Sequence, residues 1–216
     1  MNMLSNNQNP VVTKKYTYLA LGDSYTIGEM VAPADNFPNQ VNTLIKSSAP
    51  GFQSPRIVAK TGWTTDELDR AIIAAKSTDQ LLETYDFVSL LIGVNNQYRG
   101  RSVDSYKPEF ENLLTKAIQF AGNRPDRVVV LSIPDWGVTP FASGRDRAQI
   151  AREIDAFNAA NRQIAQENNV HYIDITPWTR EAATDNSLLA SDGLHPSGKE
   201  YARWAERVAL FFKSKI

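Results

Sequence analysis

The sequence of 216 residues contains no cysteine, and this absence excludes three kinds of chemistry. It leaves no disulfide framework, no thiolate nucleophile and no zinc site built on cysteine. Histidine is also scarce, since His171 and His195 are the only two in the chain. A metal site rich in histidine is therefore not expected.

The sequence also lacks a dominant charge and a long apolar run. Its 23 Lys and Arg residues against 24 Asp and Glu residues give a formal net charge of -1, so we expect no binding to nucleic acid. The longest apolar runs, such as Val128–Leu131, are as short as strands, so we expect no integral membrane association. Met1–Pro10 has no signal-peptide pattern, so we expect a cytoplasmic protein. We expect residues 1–15 to form a mobile tail.

What the sequence does contain is an alternation of apolar runs with segments of helical periodicity over residues 16–216. Five runs rich in β-branched residues predict strands at Tyr16–Leu21, Arg56–Ala59, Phe87–Ile92, Arg127–Ser132 and Val170–Asp174. Strands that alternate with helices imply right-handed crossovers and a mostly parallel sheet. We therefore predict a single α/β domain, a three-layer α/β/α sandwich around a five-stranded parallel sheet with flavodoxin-like strand order.

Two helix starts are predicted from capping boxes, in which a Ser or Thr precedes a Glu by three residues. The two pairs are Thr64 with Glu67, and Ser197 with Glu200. These caps place Gly62 and His195 each two residues before a helix start. Within the helices, Phe157 and Trp204 occupy apolar positions and are expected in the core.

Polar or reactive residues follow all five predicted strands. The segments are Gly22-Asp23-Ser24, Thr61-Gly62-Trp63, Gly93-Val94-Asn95-Asn96, Pro134-Asp135-Trp136 and, after a longer loop, Asp192-Gly193-Leu194-His195. Ligands of open α/β sheets bind beyond the carboxyl ends of the strands. Because these segments converge on that edge, we expect one functional site there.

Three of these residues have the chemistry of a nucleophile and its activating partners. A serine hydroxyl such as that of Ser24 needs a base within hydrogen-bond reach, and His195 is the candidate. Asp192, three residues earlier, could fix the tautomer and orientation of the His195 ring. Each motif alone also fits a plainer interpretation, because Ser24 could cap a helix and Asp192-Gly193 could be an ordinary turn.

Further residues of these segments could stabilise an oxyanion or line a pocket. Candidate oxyanion donors are the amides of Ser24 and Gly62 and the side chain of Asn95, although a turn would also use Gly62 and Asn95. The aromatic residues that could line an acyl pocket, or simply pack, are Trp63, Tyr98, Trp136, Phe141 and Trp178. His171 is expected at the amino end of the fifth strand, away from the site, and Asp174 in hydrogen bonds at its far end.

Together the blocks resemble the GDSL, or SGNH, hydrolase superfamily over nearly the whole chain after the tail. The matching residues are Ser24 in Gly-Asp-Ser, Gly62 after the second strand, Asn95 in Gly-Val-Asn, and Asp192 and His195 in Asp-x-x-His. The resemblance implies a flavodoxin-like fold, hydrolysis of a small-molecule ester or thioester, and no metal or organic cofactor. Tyr25 departs from the Leu of the family's name motif, and Asn96 from the Asp that often follows the oxyanion Asn.

Other functions stay open at this point. The same triad could deacetylate a carbohydrate or transfer an acyl group to a sugar hydroxyl. A non-enzymatic flavodoxin-like module could bind phosphate or flavin through backbone donors after the first strand, but the Walker and Gly-x-Gly-x-x-Gly spacings are absent. The α/β-hydrolase elbow does not fit, because Thr26 stands where Gly-x-Ser-x-Gly requires its second glycine.

Overall fold

The computed structural model describes residues 14–216, so the predicted tail lies outside the described residues except for Lys14 and Lys15. The strands are β1 (Tyr18–Asp23), β2 (Arg56–Lys60), β3 (Phe87–Leu91), β4 (Val128–Leu131) and β5 (His171–Ile173). The helices are α1 (Ser24–Ile27), α2 (Phe37–Lys46), α3 (Thr65–Ser77), α4 (Val94–Tyr98), α5 (Val103–Phe120), α6 (Arg147–Glu167), α7 (Thr176–Arg180) and α8 (Gly198–Lys213).

The five strands form one sheet in the order β2-β1-β3-β4-β5, and every neighbouring pair is parallel. This is the flavodoxin-like order, and it confirms the predicted fold class. In the register, Gly22 of β1 lies beside Ala59 of β2 and Leu91 of β3. These three strands therefore end together, and the segments that follow them start at the same edge.

Helices cover the two faces of the sheet in separate groups. Helix α2 packs on α8, whereas α5 packs on both α3 and α6. Phe212 of α8 anchors its side of the core, with its ring stacked on Phe87 at a centroid distance of 4.4 Å. Phe157 and Trp204 are buried as predicted. Among residues 14–216, the structure contains no helix with the length and apolar character needed to span a membrane.

The two predicted capping boxes form to different extents. The Glu67 carboxylate accepts a hydrogen bond from the Thr64 amide at 2.9 Å, as predicted. Ser197 does cap α8, but the Glu200 carboxylate binds the indole of Trp204 at 2.8 Å and the guanidinium of Arg203 at 2.9 Å. The prediction that Glu200 closes a capping box was therefore wrong. Glu200 is buried, and a buried carboxylate and a buried indole each need a hydrogen-bond partner.

His171 lies at the amino end of β5, as predicted. Its ring stacks on that of Phe211 at 4.3 Å with an interplanar angle of 10°. Asp174 follows β5 and accepts a hydrogen bond from Ser132 Oγ at 3.1 Å. His171 thus contributes to packing and Asp174 to hydrogen bonding at the end of the strand, as the sequence indicated.

Candidate active site

Ser24 is the first residue of α1 and directly follows the last residue of β1. The side chain that caps this helix belongs to Asp23, which accepts a hydrogen bond from the Tyr25 amide at 3.0 Å. The turn is so tight that a Cβ at Gly22 would lie 2.0 Å from Thr26 Oγ1. Because Asp23 supplies the cap, the hydroxyl of Ser24 is not needed for that purpose.

Asp192 and His195 form a closely bonded pair in the turn before α8. His195 Nδ1 lies 2.6 Å from Asp192 Oδ2, and Asp192 Oδ1 accepts the amides of Leu194 and His195 at 3.0 Å each. Partial burial acts to raise the pKa of Asp192, but the hydrogen bonds from His195 and Leu194 outweigh it and hold that pKa below its usual value. An ionised carboxylate beside Nδ1 keeps the proton on that nitrogen and leaves Nε2 as the acceptor.

Ser24 and His195 line the same cleft at the carboxyl edge of the sheet, with a volume of about 160 Å³. The other lining residues are Tyr25, Thr61, Gly62, Val94, Asn95, Tyr98, Trp136, Phe141 and Leu194. Within the described part of the chain, Ser24 Oγ and the His195 ring are not hydrogen-bonded. Such bonds in enzymes without ligand are often long and tighten when substrate binds.

Three of the five predicted pocket aromatics do line this cleft. Tyr98, Trp136 and Phe141 form one wall, in which the rings of Tyr98 and Trp136 meet edge to face at 5.2 Å. The indole N–H of Trp136 donates to Gln97 Oε1 at 2.7 Å, which fixes the plane of that ring. Tyr98 and Phe141 remain 44% and 46% exposed, so the wall extends to the mouth of the cleft.

The predictions for Trp63 and Trp178 were wrong. Trp63 lines a groove beside β2 and α3 and is not among the residues that line the cleft. Trp178 lies on α7, with the guanidinium groups of Arg203 and Arg207 over its ring at 5.5 and 5.6 Å. A position at the correct edge of the sheet was therefore not enough to place either residue in the cleft.

Sequence reasoning also missed four lining residues, Tyr25, Thr61, Val94 and Leu194. Thr61, Val94 and Leu194 belong to the segments predicted at this edge, and Tyr25 directly follows one, so membership of these segments was the signal that could have identified them. The buried ring of Tyr25 is notable because it packs against the His195 imidazole at a centroid distance of 5.0 Å. The ring of His195 is thus held both by packing against Tyr25 and by the hydrogen bond between His195 and Asp192.

The predicted oxyanion donors Gly62 and Asn95 lie in this cleft beside Ser24. Gly62 has a φ of 82°, a left-handed conformation that favours glycine. Arg99 holds the Gly62 segment by donating to the Gly62 carbonyl at 2.6 Å, and its guanidinium also pairs with Glu67 at 3.3 Å. In the described structure the Gly62 amide donates to no other protein group, so it is available to a ligand.

The Asn95 side chain is held between two neighbouring segments. Its Nδ2 donates to the Trp63 carbonyl at 2.9 Å and lies 3.4 Å from Asp23 Oδ2. The next residue, Asn96, is fully buried, accepts the Thr65 amide at 3.1 Å and donates to Thr65 Oγ1 at 2.6 Å. This pair therefore ties the segment after β3 to the start of α3 and is more than a surface turn.

Asp23 is a buried carboxyl beside the nucleophile candidate. Burial raises its pKa to about 7, although the hydrogen bonds of the Tyr25 amide and the Asn95 side chain act to lower it. The folded chain thus holds this proton more tightly than the unfolded chain does. Stability is therefore lost as the pH rises from the ordinary aspartate range through about 7.

Replacing Asp23 by Asn should keep the neutral form of the group at every pH. We expect Asp23→Asn to raise the free energy of unfolding, by about 2 kcal/mol more at pH 8 than at pH 5. Urea unfolding at the two pH values measures this difference, with Asp104→Asn at an exposed position as the control. A gain of equal size at both pH values would contradict the raised pKa.

The described residues do not bring together a cluster suited to a metal ion. Within residues 14–216, no group of three or more His, Asp or Glu side chains has a geometry that could hold one. The chemistry that the cleft offers is instead a hydroxyl, an imidazole with an ionised partner, and several N–H donors.

Comparisons with known proteins identify the family of the chain. The model of the GDSL-like Lipase/Acylhydrolase family matches residues 20–203. No curated protein sequence matches the chain closely enough to be counted as a relative.

Solved structures share the fold at low sequence identity. The psychrotrophic esterase EstA from Pseudoalteromonas sp., in a structure inhibited by monoethylphosphonate, has a TM-score of 0.68 and 17% identity, and the match covers 93% of this chain and 98% of that one. The lipase/acylhydrolase from Enterococcus faecalis has a TM-score of 0.67 and 18% identity over 93% and 96% of the two chains. The acetylxylan esterase Axe2 from Geobacillus stearothermophilus has a TM-score of 0.64 and 20% identity over 91% and 94%.

Proposed function

The chain belongs to the GDSL-like lipase/acylhydrolase family and is a carboxylic ester hydrolase, and we propose that it acts through an acyl-enzyme formed on Ser24. The observation that carries this proposal is that His195, whose ring is hydrogen-bonded to Asp192, lines one small cleft together with Ser24. This combination supports a serine nucleophile with a histidine base and an orienting carboxylate.

In the proposed first step, His195 Nε2 takes the proton of Ser24 Oγ as this oxygen bonds to the ester carbonyl carbon. The carbonyl oxygen becomes an oxyanion, and the ionised Asp192 stabilises the imidazolium that forms. When the intermediate collapses, the bond to the alcohol oxygen breaks and His195 returns the proton to the leaving alcohol. A water then attacks the acyl-enzyme in the same way, which releases the acid and regenerates Ser24.

The oxyanion requires donors that are in place before charge develops. We propose that the amides of Ser24 and Gly62 and the Nδ2 group of Asn95 fill this role. One N–H of Asn95 is occupied by the Trp63 carbonyl. Asn95 Nδ2 also lies 3.4 Å from Asp23 Oδ2, which is the long limit of a hydrogen bond. The N–H on that side is therefore weakly bound and is the one that would donate to an oxyanion.

We expect Asn95→Ala to lower kcat by about 10²- to 10³-fold, because the donor acts mainly on the charge of the transition state. KM should change much less. Steady-state kinetics on a chromogenic ester measures both constants, and Asn112→Ala on the exposed side of α5 is the matched control. An increase in KM alone would show that Asn95 binds substrate and does not stabilise the oxyanion.

The substrate of this hydrolase is tested with a panel of chromogenic esters of increasing acyl length, set beside acetylated sugars and a lysophospholipid. Deacetylation of a carbohydrate and acyl transfer to a sugar hydroxyl use the same residues and remain the alternative outcomes of this panel. Water as the acceptor identifies a hydrolase, whereas an acylated sugar product identifies a transferase. Membership of a lipase/acylhydrolase family favours all of these over the flavodoxin-like binding module.

A further inference from the structure

A second, smaller cavity lies behind the cleft. Its volume is about 20 Å³, and its lining residues are Tyr25, Pro134, Asp135, Trp136, Thr139, Thr179, Ala182, Leu188, Leu189, Leu194, Pro196 and Glu200. Tyr25, Trp136 and Leu194 line both this inner cavity and the cleft. The two spaces are therefore separated by a single layer of mostly apolar side chains.

The acidic side chains of the inner cavity are already bound to other protein groups. The Asp135 carboxylate accepts the Gly137 amide and pairs with Arg180, both at 2.9 Å. The Glu200 carboxylate accepts the indole N–H of Trp204 at 2.8 Å.

The two threonines are bound as well. Thr139 Oγ1 donates to the Trp136 carbonyl at 2.7 Å, and Thr179 Oγ1 donates to the Thr176 carbonyl at 2.8 Å. Because these polar groups are bound to other protein groups, the surface that faces the cavity is mostly apolar. An apolar cavity accepts an alkyl group in preference to water.

Of the three shared residues, Leu194 is the one whose side chain is least constrained. Trp136 is buried and anchored by its hydrogen bond to Gln97. Tyr25 is buried against the His195 ring. Leu194 is only partly buried, and it is held through its backbone amide, which donates to Asp192 Oδ1 at 3.0 Å.

We propose that Leu194 sets the acyl-chain length of the substrate by closing the cleft toward the inner cavity. The substrates are then esters of short straight-chain acids, such as acetyl and butyryl esters, whose acyl group ends against this side chain. The proposal rests on the proposed function, because it takes Ser24 as the residue that carries the acyl group. It adds a determinant of specificity to that function.

The test compares p-nitrophenyl hexanoate with p-nitrophenyl acetate in each variant. Leu194→Ala joins the two spaces, and we expect the ratio of the two kcat/KM values, hexanoate over acetate, to rise by about 10- to 100-fold. Leu194→Met keeps the volume and should keep the wild-type ratio. Using the ratio removes any effect of the substitution on the neighbouring His195, since such an effect lowers both values together.

A second variant fills the inner cavity from its other side. Ala182 is buried and lines the inner cavity but not the cleft, so Ala182→Val should leave the wild-type ratio unchanged. Combined with Leu194→Ala, it should cancel the gain on hexanoate. Circular dichroism and thermal unfolding establish that each variant is folded before its kinetics are compared.

The two possible failures are distinguishable. Leu194→Ala with an unchanged ratio, or with an equal loss on both esters, would overturn the role of Leu194 even though ester hydrolysis persists. A gain on hexanoate that Ala182→Val does not cancel would also overturn it, because the longer chain would then bind elsewhere. If the wild-type protein hydrolyses esters without using Ser24, it is the proposed acyl-enzyme that fails.

Discussion

Ser24→Ala is expected to lower kcat by about 10⁴- to 10⁶-fold while leaving the fold intact. The loss is large because the members of a catalytic triad act as a unit, and His195 and Asp192 have no nucleophile to activate without the hydroxyl. The fold should persist because Ser24 contributes to it through its backbone, whose carbonyl accepts the amides of Gly28 and Glu29 at 3.1 and 3.0 Å. The helix cap is supplied by Asp23 and stays in place.

Two measurements check this result. Steady-state kinetics on a short-chain chromogenic ester gives the change in kcat, with Ser105→Ala at an exposed site of α5 as the control. Mass spectrometry after treatment with a fluorophosphonate should locate the label on Ser24 in the wild-type protein and find none in Ser24→Ala. Near-normal turnover in Ser24→Ala, or a label on another serine, would refute the assignment of the nucleophile.

The fold was predictable because its three central strands, β1, β3 and β4, are buried along their whole length and form largely apolar runs. A strand buried on both faces tends to form a continuous apolar run, as β4 does with its four buried residues from Val128 to Leu131. Such a run differs clearly from the helical periodicity on each side of it. Right-handed crossovers limit the possible strand orders to a few, and the observed order places the segments of Ser24, Gly62, Asn95 and His195 at one edge.

Side-chain direction within those segments was not predictable in the same way. Trp63 and Trp178 follow strands at the correct edge, yet neither lines the cleft, because neither a loop nor a helix of five residues has enough periodicity to assign a residue to a face. The position of Glu200 in a capping pattern did not reveal its burial beside Trp204. The raised pKa of Asp23 likewise depends on packing from segments distant in the sequence, which only the folded structure specifies.

Asp192→Asn is expected to reduce kcat by about 10⁴-fold, although the substitution preserves size and shape. The reason lies in how the two carboxylate oxygens are used. Oδ1 accepts the amides of Leu194 and His195, whereas Oδ2 faces His195 Nδ1. In the Asp192→Asn variant the single side-chain oxygen is best placed on the two amides, which turns the NH₂ group toward Nδ1. That nitrogen must then accept a hydrogen bond, so the ring proton moves to Nε2, which can no longer take the proton of Ser24.

The pH profile of the wild-type protein tests the same pairing. The pKa of Asp192 lies below its usual value, so this carboxylate stays ionised over the range in which histidine changes charge. We therefore expect kcat/KM to fall toward acid pH in a one-proton step, since a protonated imidazole cannot act as a base. Asp23 also has a pKa of about 7, so a two-proton fall would implicate Asp192 only if it persists in the Asp23→Asn variant.

A control separates the loss of pairing from the loss of a carboxylate in general. Asp174→Asn also removes one negative charge. The Asp174 carboxylate, however, follows β5, is bound to Ser132 and lies outside the cleft. Its kcat should stay within a few-fold of the wild-type value. If Asp192→Asn behaves like Asp174→Asn, the catalytic unit is a dyad of Ser24 and His195, and the contribution of Asp192 is confined to the turn that it forms with the Leu194 and His195 amides.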